Sequence, residues 1–482
     1  MSGDAVGALL RRLTGARPIE THISEVYVGR QAAFKRRKPV RLTFLDFSDA
    51  DARRRYAERE VALNAPYAPG LYRGVRAVTR DAAEKLALDG AGEAIDWLVE
   101  MAPLPADAFL DQVARAGRLD EALLDRIADA VAAMHRALPP SGASDIEAVA
   151  RGNADAARAA GLDQRRCQAW LDACLAAIAG RGPMLASRAA EGRVRRCHGD
   201  LHLGNLVLMD GRPVPFDALE FDEQLATIDT GYDLAFLLMD LDRRVSRAAA
   251  NRVLNRYVAL TGDAGLVGLL PVWLSLRALI RAHVAARRGA AAEAEEYLAA
   301  AEAYLVPAAP VLVAIGGLQG TGKSTLARAL APGLGAAPGA LVLRSDEIRK
   351  RLAGQKPETR LPASAYTRDA TRAVYATMAD DARVALEAGH AAIADAVYQD
   401  PAERRAIEEA ARGARFVGLW LAVPDTIAEA RLAARRGDAS DADVAVLRAA
   451  ARRDPGPITW HPIDATDANA AMEAARSLLA RG

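Results

Sequence analysis

The spacing of apolar positions changes character near Pro307–Pro310. Before that point helical and alternating patterns mix. Residues 1 to about 20 read as an amphipathic helix or a mobile arm. Ser24 to Ser48 (SEVYVGRQAAFKRRKPVRLTFLDFS) reads as strands separated by a turn at Gly29-Arg30, and the next segment, DARRRYAEREVALNAPYAP, as a helix. Ala94 to Pro105 (AIDWLVEMAPLP) predicts a strand leaving through a stiff, proline-punctuated segment. Leu123 to Leu138 has helical periodicity, with His135 packed in a core rather than free to bind a ligand. Leu206-Val207-Leu208 and Val214-Pro215-Phe216 form a hairpin pattern turned at Asp210-Gly211. From DTGYDLAFLLMDLD the chain stays helical to about Tyr304. After the prolines the rhythm is different. Val311 to Ile315, ALVLRSD, HAAIADA and RFVGLWLAV are short apolar runs, the signature of parallel strands buried on both faces.

Composition narrows the class. A length of 482 residues, about half of them apolar and a quarter charged, predicts two to four globular domains with ample core. A formal net charge of +1 without a basic block opposes nucleic-acid or membrane-surface binding. The three cysteines, Cys167, Cys174 and Cys197, lack metal-ligand company, and the N-terminus lacks a signal-peptide core. The expectation is a soluble cytoplasmic protein. Lysine occurs only at positions 35, 38, 85, 323, 350 and 356. Where Arg otherwise carries the positive charge, a remaining Lys marks a position that needs a compact ammonium.

The hairpin brings candidate chemistry with it. In Cys197 to Asp222, Asp200 precedes Asn205 by five positions and Asp217 follows the second strand. That is the spacing of a kinase catalytic loop and its metal-binding Asp. A carboxylate at Asp200 can orient a hydroxyl and take its proton. Asn205 and Asp217 offer oxygen to Mg²⁺. The plain alternative is a polar hairpin whose Asp and Asn residues make turns.

HGDLHLGN, then FD, then DTGYDLAFLL resembles the aminoglycoside phosphotransferase family, a branch of the protein-kinase-like fold. The resemblance implies Asp200 as catalytic base, Asn205 and Asp217 as metal ligands, and His198 and Asp233 as supports of the loop. One departure is that the family's Asp-x-Gly is replaced by Asp217-Ala218-Leu219-Glu220, where Glu220 either adds a metal ligand or signals a drifted metal site. Upstream, Ala33-Phe34-Lys35 matches the Ala-x-Lys of the third kinase strand, whose Lys contacts phosphates and pairs with a helix Glu. Glu60 is preferred over Glu58 for that pair. The alternative is an exposed basic turn, FKRRKP, that includes Lys35 and Lys38. No glycine-rich loop precedes it. By the same resemblance, the backbone near Glu100 and Met101 is the hinge that meets adenine.

Past the prolines, Gly317-x-x-x-x-Gly322-Lys323-Ser324 is a complete Walker A motif between a strand and a helix. Its backbone N–H groups cradle phosphates, Lys323 reaches the β/γ-oxygens and Ser324 binds Mg²⁺. Gln319, Gly320, Thr321 and Thr325 complete the loop. Two of the later apolar runs end in acids, Asp346 and Asp395, which should face the loop beyond the carboxyl ends of the strands. Ser345-Asp346-x-x-Arg349 resembles the small P-loop kinases, including polynucleotide kinase, gluconate kinase and zeta toxins. That resemblance implies Asp346 as general base and Arg349 as the grip on the acceptor, with Asp395 supporting Mg²⁺. It also implies a lid helix offering Arg431, Arg435 or Arg436 to the transferring phosphoryl group. A capping Asp with a surface Arg, and a solvated Arg-rich helix face, are the alternatives.

The sequence therefore predicts two domains: residues 1–305 an α+β protein-kinase-like domain, and 306–482 an α/β P-loop kinase with a parallel sheet. The pairing resembles proteins described as bifunctional aminoglycoside phosphotransferase and ATP-binding protein. It implies ATP or GTP with Mg²⁺ and a small-molecule hydroxyl acceptor. Two alternatives remain. Either the P-loop part alone is catalytic beside a binding module, or the protein is a nucleic-acid end kinase, which the neutral charge opposes.

Overall fold

The structure, a computed structural model, describes residues 4–481 apart from 22, 43, 44 and 436. The chain divides into two compact units. The first comprises Met1–Leu119, Ala133–Asp145 and Ser187–Asp233; the second comprises Asp120–Ala132, Ile146–Ala186 and Leu234–Gly482.

The first unit holds a six-stranded antiparallel sheet. Its strands are β1 (Ile19–Glu20), β2 (Ser24–Val28), β3 (Ala33–Arg37), β4 (Tyr72–Arg80), β5 (Leu86–Leu88) and β6 (Glu93–Met101), in the order β1-β2-β3-β6-β4-β5. The N-terminal segment is a helix, α1 (Ala5–Thr14), opened by Asp4 as N-cap and closed by Gly15 in the left-handed region. Val6, Leu9 and Leu10 of α1 pack on Tyr27, Phe34, Val78 and Leu98 of the sheet, which is why the segment is not a mobile arm. Helix α2 (Ala50–Asn64) starts at the Asp49 cap and places Ala57 against Val99 and Tyr72.

Beyond the sheet, β7 (Val194–Arg196) pairs with β10 (Thr227–Asp229), and between them lies the hairpin of β8 (Leu206–Met209) and β9 (Arg212–Pro215). Met209 faces Arg212 across a turn whose central residues, Asp210 and Gly211, have φ of 50° and 73°. Two left-handed residues suit the twist of a two-residue hairpin, and Asp-Gly tolerates them.

In the second unit helices α3 (Glu121–Ala137), α4 (Ile146–Ala159), α5 (Gln164–Ala179), α6 (Thr230–Arg244), α7 (Arg247–Thr261), α8 (Leu270–Arg287) and α9 (Ala291–Tyr304) come first; α3 and α6 each have residues in both units. A buried relay ties three of them: Trp170 Nε1 donates to Ser275 Oγ at 2.8 Å, and that hydroxyl donates to the Ala301 carbonyl at 2.6 Å. A five-stranded, wholly parallel sheet follows, made of β11 (Val311–Gly316), β12 (Leu341–Arg344), β13 (Ala392–Asp395), β14 (Arg415–Ala422) and β15 (His461–Asp464), in the order β12-β13-β11-β14-β15. The first four match the apolar runs. β15 was not expected, because only Ile463 of its four residues is buried and no apolar run marks it. Helices α10 (Lys323–Leu330), α11 (Ser345–Leu352), α12 (Arg368–Glu387), α13 (Pro401–Ala410), α14 (Asp425–Ala434), α15 (Val444–Ala451) and α16 (Ala468–Ala480) complete the unit. Helix α14 stops at Ala434, so Arg435 is its C-cap rather than a helical residue, and Arg436 lies outside the described residues.

One packing detail concerns the edge strand β12. Its unpaired side meets α7, where Asn251 Nδ2 donates to the Ala340 carbonyl at 3.0 Å and Asn255 Oδ1 accepts from Val342 N at 2.6 Å. Two carboxamides thus supply bonds that a further strand would have made. Among the described residues no helix is long and apolar enough to cross a membrane.

Candidate active sites

In the first unit, β3 carries Lys35 and α2 carries Glu60, and their side chains meet at 3.0 Å. Lys35 Nζ also donates to Asp217 Oδ1 at 2.5 Å. Burial alone would lower the pKa of Lys35. The carboxylates of Asp217, Glu60 and Glu220 more than reverse this, so the pKa lies above its usual value and the ammonium stays charged. Two residues along the strand, on the same face, Arg37 Nη2 reaches both Glu60 Oε2 and Glu220 Oε1 at 2.6 Å. Glu220 is buried and its carboxylate is taken up by that arginine. Glu100 and Met101 are the last residues of β6, with β3 on one side and β4 on the other. The Glu100 side chain turns to Arg76 at 2.6 Å.

The hairpin holds the other members of this site. Asn205 Nδ2 donates to Asp200 Oδ2 and to the Asp200 carbonyl, each at 2.9 Å, which leaves the side-chain oxygen Asn205 Oδ1 for another partner. Phe216 N donates to Asn205 O at 3.1 Å, so the residue before Asp217 is fixed to the catalytic-type loop. Asp217 sits at φ 61°, with its N–H directed to Tyr72 Oη at 3.1 Å. Such left-handed non-glycine residues are uncommon and cluster at ligand sites.

Asp233 Oδ2 accepts from His198 N at 3.1 Å and Oδ1 from Gly199 N at 2.8 Å, and His135 Nε2 lies 3.1 Å from the same Oδ2. His135, Cys197 and Asp233 stand close enough to hold a metal ion. The Asp233 oxygens are nevertheless already engaged by two backbone N–H groups and an imidazole, so the trio brackets the loop.

The second unit carries a separate site. Gly317, Gly320 and Gly322 have φ of 135°, 81° and 94°. A side chain on Gly320 would meet the Ala428 carbonyl at 2.6 Å, and one on Gly317 the Leu421 carbonyl, so the loop's backbone can curl only with glycine here. Gln319, Gly320, Gly322, Lys323, Ser324, Thr325, Asp346, Arg349, Asp395, Arg431 and Arg435 all line one cavity of 1020 Å³; the buried Thr321 turns its hydroxyl back to the Leu318 carbonyl at 2.8 Å.

Ser324 Oγ lies 2.5 Å from Asp395 Oδ2, a hydroxyl beside a carboxylate at the mouth of a phosphate-type loop. This all-oxygen donor set fits a hard divalent cation, and the glycine cradle followed by α10's N-terminus fits polyphosphate. Lys323 donates to the Leu318 carbonyl at 2.8 Å, and burial lowers its pKa. Burial raises that of Asp346. Arg349 donates to the Ala365 carbonyl at 2.9 Å and lies over the Tyr366 ring. Arg431 donates to the carbonyls of Ala465 and Thr466 at 3.0 and 2.9 Å, and Arg435 to that of Ala442 at 2.5 Å.

Sequence reasoning passed over Arg344. It is buried at the end of β12, 2.7 Å from Glu347, 3.1 Å from Asp438 and 3.4 Å from Asp395. A charged residue closing the apolar run ALVL is the signal that could have found it. Asp441, which accepts from Lys350 at 2.6 Å and from Tyr366 Oη at 2.5 Å, was hidden in a polar loop pattern.

Two family profiles match the chain: the Phosphotransferase enzyme family over residues 98–279 and an AAA domain over residues 312–455. The uncharacterized protein Rv2004c of Mycobacterium tuberculosis (strain ATCC 25618 / H37Rv) is 31% identical over 472 residues, covering 92% of this chain and 91% of the relative. The chain belongs to the same family as that protein, and it joins an aminoglycoside-phosphotransferase-type kinase region to a P-loop kinase-like region. Among solved structures, a choline kinase from Cryptosporidium parvum Iowa II is 10% identical, covering 62% of this chain and 94% of that one, with a TM-score of 0.42. A gluconokinase from Sinorhizobium meliloti 1021 is 19% identical, covering 35% and 93%, with a TM-score of 0.26.

Proposed function

We propose that the protein is an ATP- and Mg²⁺-dependent phosphotransferase with two phosphoryl-transfer sites acting on hydroxyl groups of small molecules. The observation that carries this reading is the P-loop cavity, where a glycine cradle, the Ser324–Asp395 oxygen pair and Asp346 share one space. Mg²⁺ there would offset the charge on phosphate oxygens. Asp346 takes the proton of the acceptor hydroxyl as its oxygen bonds to the γ-phosphorus and the bond to the β-phosphate oxygen breaks. Arg349 steers the acceptor, while Arg431 and Arg435 stabilise the charge on the transferring phosphoryl group.

In the domain we place at 1–305, Asp200 has the base role, Asn205 and Asp217 the metal role, and Lys35, Glu60 and the Glu100–Met101 backbone the nucleotide role. A second reading gives catalysis to the domain at 306–482 alone. It is favoured by the direct Lys35–Asp217 contact and by Glu220 being occupied by Arg37. The three cysteines are all buried as thiols outside any disulfide, which fits a reducing cytoplasm.

Asp200→Ala and Lys323→Ala, made separately, decide the matter. ADP release is followed against a panel of sugars, aminoglycosides and oligonucleotide ends. Each substitution is expected to cost about 10²-fold or more on its own acceptor. An Asp200→Ala protein matching the parent on every acceptor would leave only the second reading, and transfer confined to oligonucleotide ends would overturn the small-molecule assignment.

A further inference from the structure

The P-loop cavity is larger than a nucleotide needs. At 1020 Å³ it lies at the top of the range of roughly 300–1,000 Å³ seen for small-molecule sites. The glycine loop lines one part of it. Another wall is helix α12, whose Thr371 and Tyr375 lie one helical turn apart on the same face and line the cavity. Each is matched to a charged side chain. Both terminal nitrogens of Arg349 lie 3.4 Å from Thr371 Oγ1. The Tyr375 hydroxyl neighbours Glu403, which lines the same cavity from the first turn of α13.

The Tyr375 hydroxyl sits in a dry setting. Burial pushes its pKa well above the ordinary tyrosine value, so it stays protonated. It accepts from Tyr398 N at 3.3 Å, which leaves its proton for the neighbouring Glu403. Tyr398 itself is held at φ 52°, with its ring edge-on to Tyr375 and Trp460 at centroid distances of 5.5 and 5.0 Å. A backbone conformation disfavoured for a non-glycine residue is kept beside the cavity, where such strain often serves a ligand. The Asp400 backbone also acts on the Glu403 carboxylate. These two neighbours leave lone pairs over, since a carboxylate has about four acceptor positions. Asp346 acts electrostatically on the same tyrosine.

The wall therefore runs from a donor-only guanidinium, through two hydroxyls, to an acceptor-only carboxylate. A row of ligand hydroxyls, each able to donate and accept, satisfies both ends. An apolar ligand would leave Glu403 desolvated and unpaired, and a phosphate placed there would be repelled.

On this basis, and resting on the function proposed above, we propose that Glu403, oriented by Tyr375, determines acceptor specificity at the P-loop site. The acceptor class is a polyhydroxylated small molecule that places one hydroxyl at Asp346 and others against Glu403 and Arg349. Burial raises the Glu403 pKa to about 7, with the Asp400 charge adding to the rise and Arg404 opposing it. Tyr375 and Tyr398 also face it, and Arg349, Asp346 and Arg453 line the same cavity. The ionised carboxylate is the better acceptor. Acceptor KM should therefore rise as pH falls through about 7, while the KM for ATP stays flat.

The test is steady-state kinetics on the full-length protein and its Glu403→Gln, Glu403→Ala and Tyr375→Phe variants. Glucose, gluconate, myo-inositol and glycerol serve as probes between pH 5.5 and 8.5. The glutamate variants should raise acceptor KM by about tenfold or more, with the KM for ATP unchanged and kcat altered much less. Glu403→Gln should also lose the pH dependence of acceptor KM, a change that a merely structural role would not produce. An unchanged ATP KM reports an intact fold, and Tyr375→Phe, which keeps the ring, should give a smaller rise. Acceptor KM values indifferent to both glutamate variants would overturn this assignment alone. A parent protein with no acceptor-dependent ADP release would overturn the proposed function and this assignment with it.

Discussion

Lys35 and Arg37 point the same way from one strand, yet their tasks differ. Lys35 joins Glu60 to Asp217, a residue of the candidate metal site, and is half-buried. Arg37 is 1% exposed and lies between Glu60 and Glu220, both buried. Its Nη2 alone serves two carboxylates that would otherwise face each other in a dry interior. Arg37→Gln should therefore destabilise the first unit by about 3–5 kcal/mol, the usual cost of removing one partner of a buried ion network. Guanidinium denaturation measures it as a lowered midpoint, and a loss under about 1 kcal/mol would show that the carboxylates find other partners. The sequence pointed to Lys35 through Ala-x-Lys. It could not separate Arg37 from its neighbours, because Arg36-Arg37-Lys38 before a proline has the look of an exposed turn.

Elements were legible in proportion to how completely burial shaped them. β11 to β14 are covered on both faces and read as unbroken apolar runs. The hairpin was legible because Asp-Gly has few other uses between two short apolar runs. Helix α7 was legible as a helix, but its task was not. Asn251 and Asn255 are one turn apart, as solvent-facing residues of any amphipathic helix would be. Only the fold shows that they close the edge of β12. Asn255→Leu should leave Val342 N buried without an acceptor, at a cost of about 1–3 kcal/mol. Hydrogen exchange would register the loss as faster exchange of the Val342 amide, with the amides of β11 at the sheet centre less affected. Equal acceleration along both strands would mean that the carboxamide acts on global stability and not on the edge.

At the scale of the whole molecule, the boundary drawn from sequence at Pro307–Pro310 follows composition, whereas compactness follows contact. The P-loop sheet shares a unit with α7, and their junction is more than the two asparagines. Arg256 of α7 holds Asp129 with two bonds of 2.7 and 3.0 Å and reaches Glu358 at 2.5 Å. Glu358 stands two residues before Arg360, which lines the nucleotide cavity. Arg351 of α11 donates to the Val258 carbonyl at 3.4 Å from the other direction. Removing α7 would expose the edge of β12 and leave Ala340 O and Val342 N to water or to another strand. A fragment spanning 306–482 should therefore be less stable than the same residues in the full chain and prone to edge-to-edge association, despite carrying every residue of its own catalytic-type site. The measurements are its thermal midpoint and its elution volume against concentration. Replacing Leu341 or Leu343 by lysine would not relieve the association, because their side chains are buried in the sheet's own layers. Supplying residues 234–305 in the same polypeptide should restore a monomeric, cooperative transition. A monomeric 306–482 fragment as stable as the full chain would show that the edge needs no cover and that the linker marks a true border of folding.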